Sequence, residues 1–113
     1  MKNVIQSILV LVIMSTTAFA QKANDLEKIS IKTSAQCEMC KQTIEKAMAY
    51  EKGVKTFNLD VATATLTVEY VAKKTSAEKI REAVSKVGYD ADDVPADEKA
   101  YNNLPDCCKK GGH

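Results

Sequence analysis

An α+β sandwich, in which two helices cover one face of a four-stranded antiparallel sheet, is the fold that the sequence predicts. Segments with alternating apolar residues and segments with apolar residues at helical spacing follow one another along the chain. Their order is strand, helix, strand, strand, helix, weak strand. The chain has 113 residues, which is enough for one domain.

The first predicted strand and the first predicted helix lie on either side of a loop that contains cysteine. Residues 26–33 alternate, with Ile29 and Ile31 facing inward, which predicts a half-buried strand. From residue 38 to 50 the apolar spacing becomes helical, and Gly53 is placed to end the helix. The inward stripe of this helix comprises Cys40, Ile44, Ala47 and Met48.

A hairpin, a second helix and a weak strand complete the predicted fold. Alternating residues on both sides of a turn at 62–64 predict an antiparallel hairpin, and Thr75 or Ser76 caps the following helix, which Gly88 ends. Residues 89–95 are predicted as an edge strand, although Asp is poor in strands. Two split βαβ units in this order give the ferredoxin-like sandwich. Its predicted core comprises Ile29, Ile31, Ile44, Met48, Phe57, Leu59, Leu66, Val68, Ile80, Val84 and Val87.

The first twenty residues have the composition of a secretory signal peptide. Lys2 precedes an apolar run too short to span a bilayer, and Ala18 and Ala20 have the spacing of a cleavage site. We expect cleavage after Ala20, a periplasmic or secreted protein, and no membrane span in the mature chain. An uncleaved anchor is the alternative, against which the polar Gln6 and Ser7 argue.

The charge balance and the single histidine exclude two classes of function. Without Lys2 the 16 basic residues become 15, which equals the number of acidic residues, so no basic surplus favours nucleic acid. The one histidine, His113, is the last residue, so no Ser/His/Asp set is available and we expect no enzyme activity.

The four cysteines form two tight pairs, Cys37 with Cys40 and Cys107 with Cys108. An exported protein with an even number of cysteines first suggests disulfides. Each pair would close only a tiny loop, however, and crosslinks stabilise most when they close long ones. The pattern therefore favours metal binding or redox chemistry over a structural crosslink.

The Cys37–Cys40 pair lies at the predicted start of a helix. Residues three apart on a helix have Cβ atoms roughly 5–6 Å apart, and a thiolate–metal bond is roughly 2.3 Å, so two sulfurs can hold one ion. The helix N-terminus and Lys41 favour thiolate, whereas Glu38 opposes it. Soft thiolates select Cu(I) and, by the same argument, Hg(II), while Zn(II) prefers four ligands. A thioredoxin-type redox pair is the main alternative.

The features that carry a family resemblance are the C-x-x-C spacing, the strand before it, the segment EKGVKTFNLDV and the ending VGYDA. With these features the chain resembles the heavy-metal-associated (HMA) domain family over about residues 26–95. That family includes copper chaperones, the metal-binding modules of copper ATPases and the periplasmic mercury-binding protein. The resemblance implies the ferredoxin-like fold, Cys37 and Cys40 as ligands of a soft metal ion, and transfer by ligand exchange. A membrane metal transporter or another metal-binding domain is then the expected partner.

Two positions of the family loop differ here, and one aromatic matches. The family usually has Gly-Met-x-Cys-x-x-Cys, whereas Ser34 and Ala35 stand at the first two positions of this chain. Tyr89 matches an aromatic that lies close to the metal loop in bacterial members. A residue at the edge of the core is the alternative interpretation of Tyr89.

The last residues, 96–113, change in character and form a predicted tail after the domain at 21–95. ADEKAYNN predicts a brief helix, and DCCKKGGH is expected to be mobile. Lys109 and Lys110 should favour the thiolate forms of the neighbouring cysteines. One hypothesis is that the tail folds back and supplies Cys107, Cys108 and His113 as accessory ligands, or captures an ion and passes it on. An uninvolved His113 is the alternative.

The sequence thus predicts an exported, non-enzymatic protein that sequesters or shuttles a soft metal ion. Copper is favoured, with mercury and zinc as alternatives. The rival prediction is an exported thiol–disulfide protein that uses the same Cys37–Cys40 pair.

Overall fold

The computed structural model of the chain describes residues 25–110. Its elements are β1 (Leu26–Lys32), α1 (Glu38–Tyr50), β2 (Val54–Asp60), β3 (Thr65–Val71), α2 (Ala77–Lys86), α3 (Glu98–Asn102) and a 3-10 turn (Asp106–Cys108). The predicted signal peptide with its cleavage after Ala20, and also His113, lie outside the described residues. No helix between residues 25 and 110 is long and apolar enough to cross a membrane.

The sheet has the strand order β1–β3–β2, and both pairings are antiparallel. The predicted hairpin is therefore confirmed, and its second strand lies in the middle of the sheet. Alternate side chains of this strand are buried, as its period of two predicts: Leu66, Val68 and Tyr70. One face of the sheet thus contributes to the core.

The two long helices pack against each other and α1 lies on the sheet, which gives the predicted α+β arrangement. Helix α2 begins at Ala77 and is capped by Ser76, whose hydroxyl accepts a hydrogen bond from the Lys79 N–H at 3.2 Å. Eight of the predicted core residues are fully buried: Ile31, Ile44, Met48, Leu59, Leu66, Val68, Ile80 and Val84. Ile29, Phe57 and Val87 are only partly buried at the border of that core.

The prediction of a fourth strand at residues 89–95 is wrong. Ala91 forms only isolated bridges, to Thr33 and to Val94, and the sheet of the described residues has three strands. Asp92 has a φ of 53°, which lies outside the β region and interrupts an extended backbone. Its Oδ1 accepts from the Lys32 N–H at 2.9 Å, and its own N–H donates to the Lys32 carbonyl at 2.8 Å. The carboxylate thus replaces the carbonyl of a neighbouring strand at the end of β1.

Replacing Asp92 with asparagine, which tolerates positive φ, should lower the free energy of unfolding by about 1 kcal/mol at pH 7. Burial alone would raise the pKa of Asp92, but the Lys32 N–H and the Arg81 guanidinium hold that pKa below its usual range. A lowered pKa stabilises the fold above about pH 4, and the contribution is lost as the pH falls through the folded-state pKa. The difference from the wild type in urea unfolding should therefore shrink toward low pH.

The control for this prediction is Asp93→Asn, which removes the same charge from an exposed neighbour. Its effect on the free energy of unfolding should stay within about 0.5 kcal/mol. An equal loss in both variants would contradict a specific role of Asp92.

Candidate metal centre

Cys37 and Cys40 lie at the N-terminus of α1, as predicted. Cys37 is the N-cap residue, and its carbonyl accepts the first helical hydrogen bond from the Lys41 N–H at 3.1 Å. Cys40 follows in the first turn and is fully buried, whereas Cys37 is half-buried. Their Sγ atoms are 3.2 Å apart. One helix start therefore presents two sulfurs side by side, one accessible and one enclosed.

The loop that leads into α1 is held in place by short side chains. The Thr33 hydroxyl accepts from the Ala35 N–H at 3.2 Å and donates to the Ala64 carbonyl at 2.8 Å. The Ser34 hydroxyl accepts from the Asp90 N–H at 2.9 Å. Ser34 stands where the family usually has glycine, and its hydroxyl ties the cysteine loop directly to the segment that carries Tyr89.

The C-terminal segment (residues 96–110) is not the mobile tail that the sequence suggested, because it packs onto the cysteine loop. Its 3-10 turn places Cys108 Sγ 3.5 Å and Cys107 Sγ 3.6 Å from Cys37 Sγ. Cys108 is only 2% exposed, while Cys107 is half-buried and lies 3.7 Å from the Met39 sulfur. The tail thus folds back as hypothesised, and it brings all four thiols together.

Several contacts anchor this segment at its two ends. At the start, the Asp97 N–H donates to the Ser85 carbonyl at 2.9 Å, and α3 begins with the Asp97 carboxylate accepting from the Ala100 N–H at 3.0 Å. At the end, the Lys110 N–H donates to the Tyr101 hydroxyl at 2.8 Å, and the Lys110 ammonium pairs with Asp90. The predicted brief helix is therefore confirmed, and it positions the thiols rather than trailing from the domain.

Tyr89 is a fully buried residue whose hydroxyl has no hydrogen-bond partner of good geometry. Its neighbours are the thiols of Cys108 and Cys40; burial first, and then these thiols, raise the pKa of Tyr89. A buried hydroxyl without a partner is costly, by about 1–3 kcal/mol, so such groups call for an explanation. The interpretation of Tyr89 as an aromatic close to the metal loop is therefore confirmed, whereas a residue at the edge of the core is not what the structure shows, because Tyr89 is fully buried.

The thiols differ in acidity because they differ in burial and in their neighbours. Partial burial opposes ionisation of Cys37, but the Cys40 thiol and N–H, with the Cys107 and Cys108 thiols, lower the pKa of Cys37 to about 7. Burial raises the pKa of Cys108, and the neighbouring Cys37 thiol raises the pKa of Cys107.

The expected effect of the lysines on the thiols is therefore wrong for the second pair. Lys110 pairs with Asp90 instead of serving the cysteines. Lys41, at the first pair, is directed to the Leu59 carbonyl at 3.1 Å and to Glu45 at 3.6 Å. The pKa of Cys37 is therefore lowered by hydrogen bonds from neighbouring thiols and from the N–H of Cys40, and not by lysine charges.

Iodoacetamide should alkylate Cys37 with a half-maximal rate near pH 7 in the reduced, metal-free chain, because only the thiolate reacts. Cys108 should react more slowly across about pH 6 to 9, since it is buried and its pKa is raised. Timed quenching and peptide mass spectrometry measure each site. As a control, the four thiols should react at similar rates in guanidinium chloride. Similar rates in the folded chain would contradict the differences in burial and pKa between Cys37 and Cys108.

The potential ligands at this site are sulfur atoms. Within residues 25–110, one group of side chains could hold a metal ion: the ligand atoms of Cys37, Cys40 and Cys108 all lie within 4.8 Å of one another. Thiolates without carboxylate or imidazole ligands favour soft ions such as Cu(I). The arrangement therefore has the donor chemistry that suits a soft cation.

Comparison with known proteins agrees with this chemistry. The profile of the family described as "Heavy-metal-associated domain" matches residues 34–90, which is half of the chain. Copper-transporting ATPase 1 of Rattus norvegicus is 40% identical over 63 residues, which are 56% of this chain and 4% of the ATPase. The chain therefore corresponds to a small part of that relative.

Solved structures show the same fold. A CopZ metallochaperone has a TM-score of 0.56 and 21% identity, and the match covers 57% of this chain and 98% of the other. Oxidized MerP from Ralstonia metallidurans CH34 has a TM-score of 0.57 and 24% identity, with 58% and 93% covered. These likenesses establish the ferredoxin-like arrangement. Together with the profile match over the cysteine loop, they show that the chain belongs to the heavy-metal-associated domain family.

Proposed function

We propose that this chain is an exported, non-enzymatic carrier that binds a soft metal ion, most favourably Cu(I), through Cys37 and Cys40 and passes it on by ligand exchange. The observation that carries this proposal is the pair of sulfurs 3.2 Å apart at the start of α1, inside the part of the chain that matches the family. Export rests on the signal-like residues 1–20 of the sequence. Hg(II) and Zn(II) are the alternative cargo ions.

The choice of Cu(I) follows from the ligand chemistry. The sulfur donors are soft, and a relative is named a copper-transporting ATPase. Zn(II) favours four-coordinate sites that are completed by nitrogen, oxygen or further sulfur ligands. Hg(II) shares the softness of Cu(I), so it is the alternative ion that the sulfur ligands fit.

Ligand exchange follows from the unequal exposure of the two sulfurs. Cys37 is accessible and Cys40 is enclosed, so an incoming thiolate reaches the ion on the Cys37 side. A new sulfur–metal bond forms as the Cys37–metal bond breaks, and no electrons are transferred. The pKa of about 7 makes Cys37 a ready thiolate near neutral pH and lets it take up a proton after release. A membrane metal transporter or another metal-binding domain is the proposed recipient.

A thiol–disulfide function of the same residues is the second candidate. It is favoured by one observation, the convergence of three thiols around Cys37, whose pKa is lowered to about 7. A low-pKa thiol beside a second thiol is the arrangement that thiol exchange requires.

Anaerobic titration of the reduced full-length protein with Cu(I), in competition with a chromophoric chelator, tests the proposal. We expect one ion per chain and binding that outcompetes the chelator. The reduction potential of the pair and a disulfide-exchange assay are measured in parallel. Failure to bind Cu(I) or Hg(II), together with an oxidising potential and catalytic exchange, would replace the carrier with the redox candidate.

A further inference from the structure

The position of Cys108 is not explained by the two-cysteine site. The family match ends at residue 90, so this cysteine lies beyond the part of the chain shared with the family. Nevertheless its sulfur is 3.5 Å from that of Cys37, and Cys37, Cys40 and Cys108 form one group whose sulfurs lie within 4.8 Å. A residue 71 positions away in sequence has been brought to the cysteine loop.

The spacing of the three sulfurs leaves room for an ion between them after a small adjustment, since all three lie within 4.8 Å of one another. Two sulfurs on opposite sides of an ion are about 4.6 Å apart, and three sulfurs around an ion in one plane are about 4.0 Å apart, for bonds of roughly 2.3 Å. The observed Sγ distances from Cys37 are 3.2 Å to Cys40 and 3.5 Å to Cys108. A small outward movement of each thiol reaches the three-coordinate spacing.

A second observation points to the same place. The Tyr89 hydroxyl is buried, has no partner of good geometry, and adjoins the Cys40 and Cys108 thiols. A thiolate bound to a metal keeps lone pairs that accept hydrogen bonds, so ligation by both sulfurs would give this hydroxyl an acceptor. The cost of leaving the phenol without a partner is explained if the enclosed sulfurs become charged ligands.

We propose that Cys108 is a third ligand of the ion, so that the C-terminal segment closes the site over its cargo. The inference rests on the proposed function, since it needs Cys37 and Cys40 to bind a soft ion. The thiol proton of Cys108 is lost to solvent as its sulfur–metal bond forms. An incoming partner must displace Cys108 as well as Cys37, so the segment retains the ion until a partner with competing thiolates arrives.

The adjacent Cys107 provides a matched comparison. It is the same residue type on the same turn and its sulfur is 3.6 Å from that of Cys37, yet it does not belong to the group of three converging ligand atoms. It is half-buried beside the half-exposed Met39, whereas Cys108 is 2% exposed. The geometry therefore assigns Cys107 to the rim and Cys108 to the ion.

X-ray absorption spectroscopy on the full-length protein loaded anaerobically with one equivalent of Cu(I) counts the sulfur ligands directly. We expect three sulfur neighbours in the wild type and in Cys107→Ser, and two in Cys108→Ser. Chelator competition should show at least a tenfold weaker affinity for Cys108→Ser, because even the partners of metal ligands are worth roughly 10–100-fold. Cys107→Ser should stay within about threefold of the wild type on the same scale.

The outcomes separate this inference from the proposed function. One Cu(I) bound by two sulfurs in the wild type would overturn the third ligand and leave the two-cysteine carrier intact. A loss of a sulfur neighbour in Cys107→Ser instead of Cys108→Ser would overturn the assignment of Cys108. No Cu(I) binding by the wild type would defeat both proposals. The wild-type spectrum alone decides the ligand number, even if Cys108→Ser does not fold.

Discussion

Replacing Cys37 and Cys40 together with serine should reduce the affinity for Cu(I) by roughly ten-thousandfold. Four-ligand zinc sites gain roughly 10–16 kcal/mol, or about 3 kcal/mol per ligand, so two lost thiolates correspond to about 6 kcal/mol. Serine is a good N-cap residue, and the helix start at position 37 should therefore persist. Anaerobic chelator competition gives the affinity, and circular dichroism monitors the fold.

Each single variant should bind more weakly than the wild type but better than the double variant, because two sulfurs remain close together. Met39→Leu is the control, since its side chain is half-exposed and its sulfur contacts Cys107 rather than the converging three thiols. Wild-type affinity in the double variant would show that the ion is held elsewhere.

Gly88→Ala should destabilise the protein by about 1–3 kcal/mol and release the C-terminal segment from the cysteine loop. Gly88 has a φ of 103°, and an added Cβ would lie 3.1 Å from the Ala100 carbonyl and the Tyr101 nitrogen. The strained backbone and the crowding both push α3 away from α2. Urea unfolding reports the stability, and alkylation of Cys108 reports its exposure.

Gly53→Ala is a matched control, because Gly53 follows the C-terminal end of α1, away from the cysteines. Gly53 also has a positive φ, of 87°, but its added Cβ would meet the side chains of Thr75 and Lys74. Both variants should lose stability, whereas only Gly88→Ala should increase the alkylation rate of Cys108 under native conditions. Equal protection of Cys108 in the two variants would mean that the contact of α3 with Gly88 does not hold the segment.

Local patterns were sufficient to predict most of the fold and the Cys37–Cys40 half of the candidate site. The period-two segments became β1, β2 and β3, and the helical stripes became α1 and α2, because these elements bury the faces that their spacing defines. Cys37 and Cys40 lie at the helix start for the same reason. The absence of the fourth strand could be predicted in part, because Asp92 lies in that segment and aspartate has a low strand propensity.

The Cys107–Cys108 half of the candidate site depends on contacts that leave no local pattern. The approach of Cys108 to Cys37 is set by the Asp97–Ser85 hydrogen bond, the contact of α3 with Gly88 and the Lys110–Asp90 pair. None of these has a periodicity, and the polar, glycine-containing end of the chain resembles a mobile tail. The burial of Tyr89 against the thiols follows from the same packing.

The convergence of the two cysteine pairs changes what air oxidation would do to this protein. A disulfide stabilises the fold by lowering the entropy of the unfolded chain, and the effect grows with the length of the closed loop. A Cys37–Cys40 bond closes a tiny loop and would stabilise the fold by about 2 kcal/mol, whereas a Cys37–Cys108 bond, across 71 positions, would stabilise it by about 4 kcal/mol. Their sulfurs are separated by similar distances in the reduced chain, 3.2 Å and 3.5 Å. A melting temperature that rises sharply after exposure to oxygen would therefore indicate a bond from Cys37 to the C-terminal pair rather than to Cys40, and peptide mapping would separate Cys108 from Cys107, whose sulfur is 3.6 Å from that of Cys37.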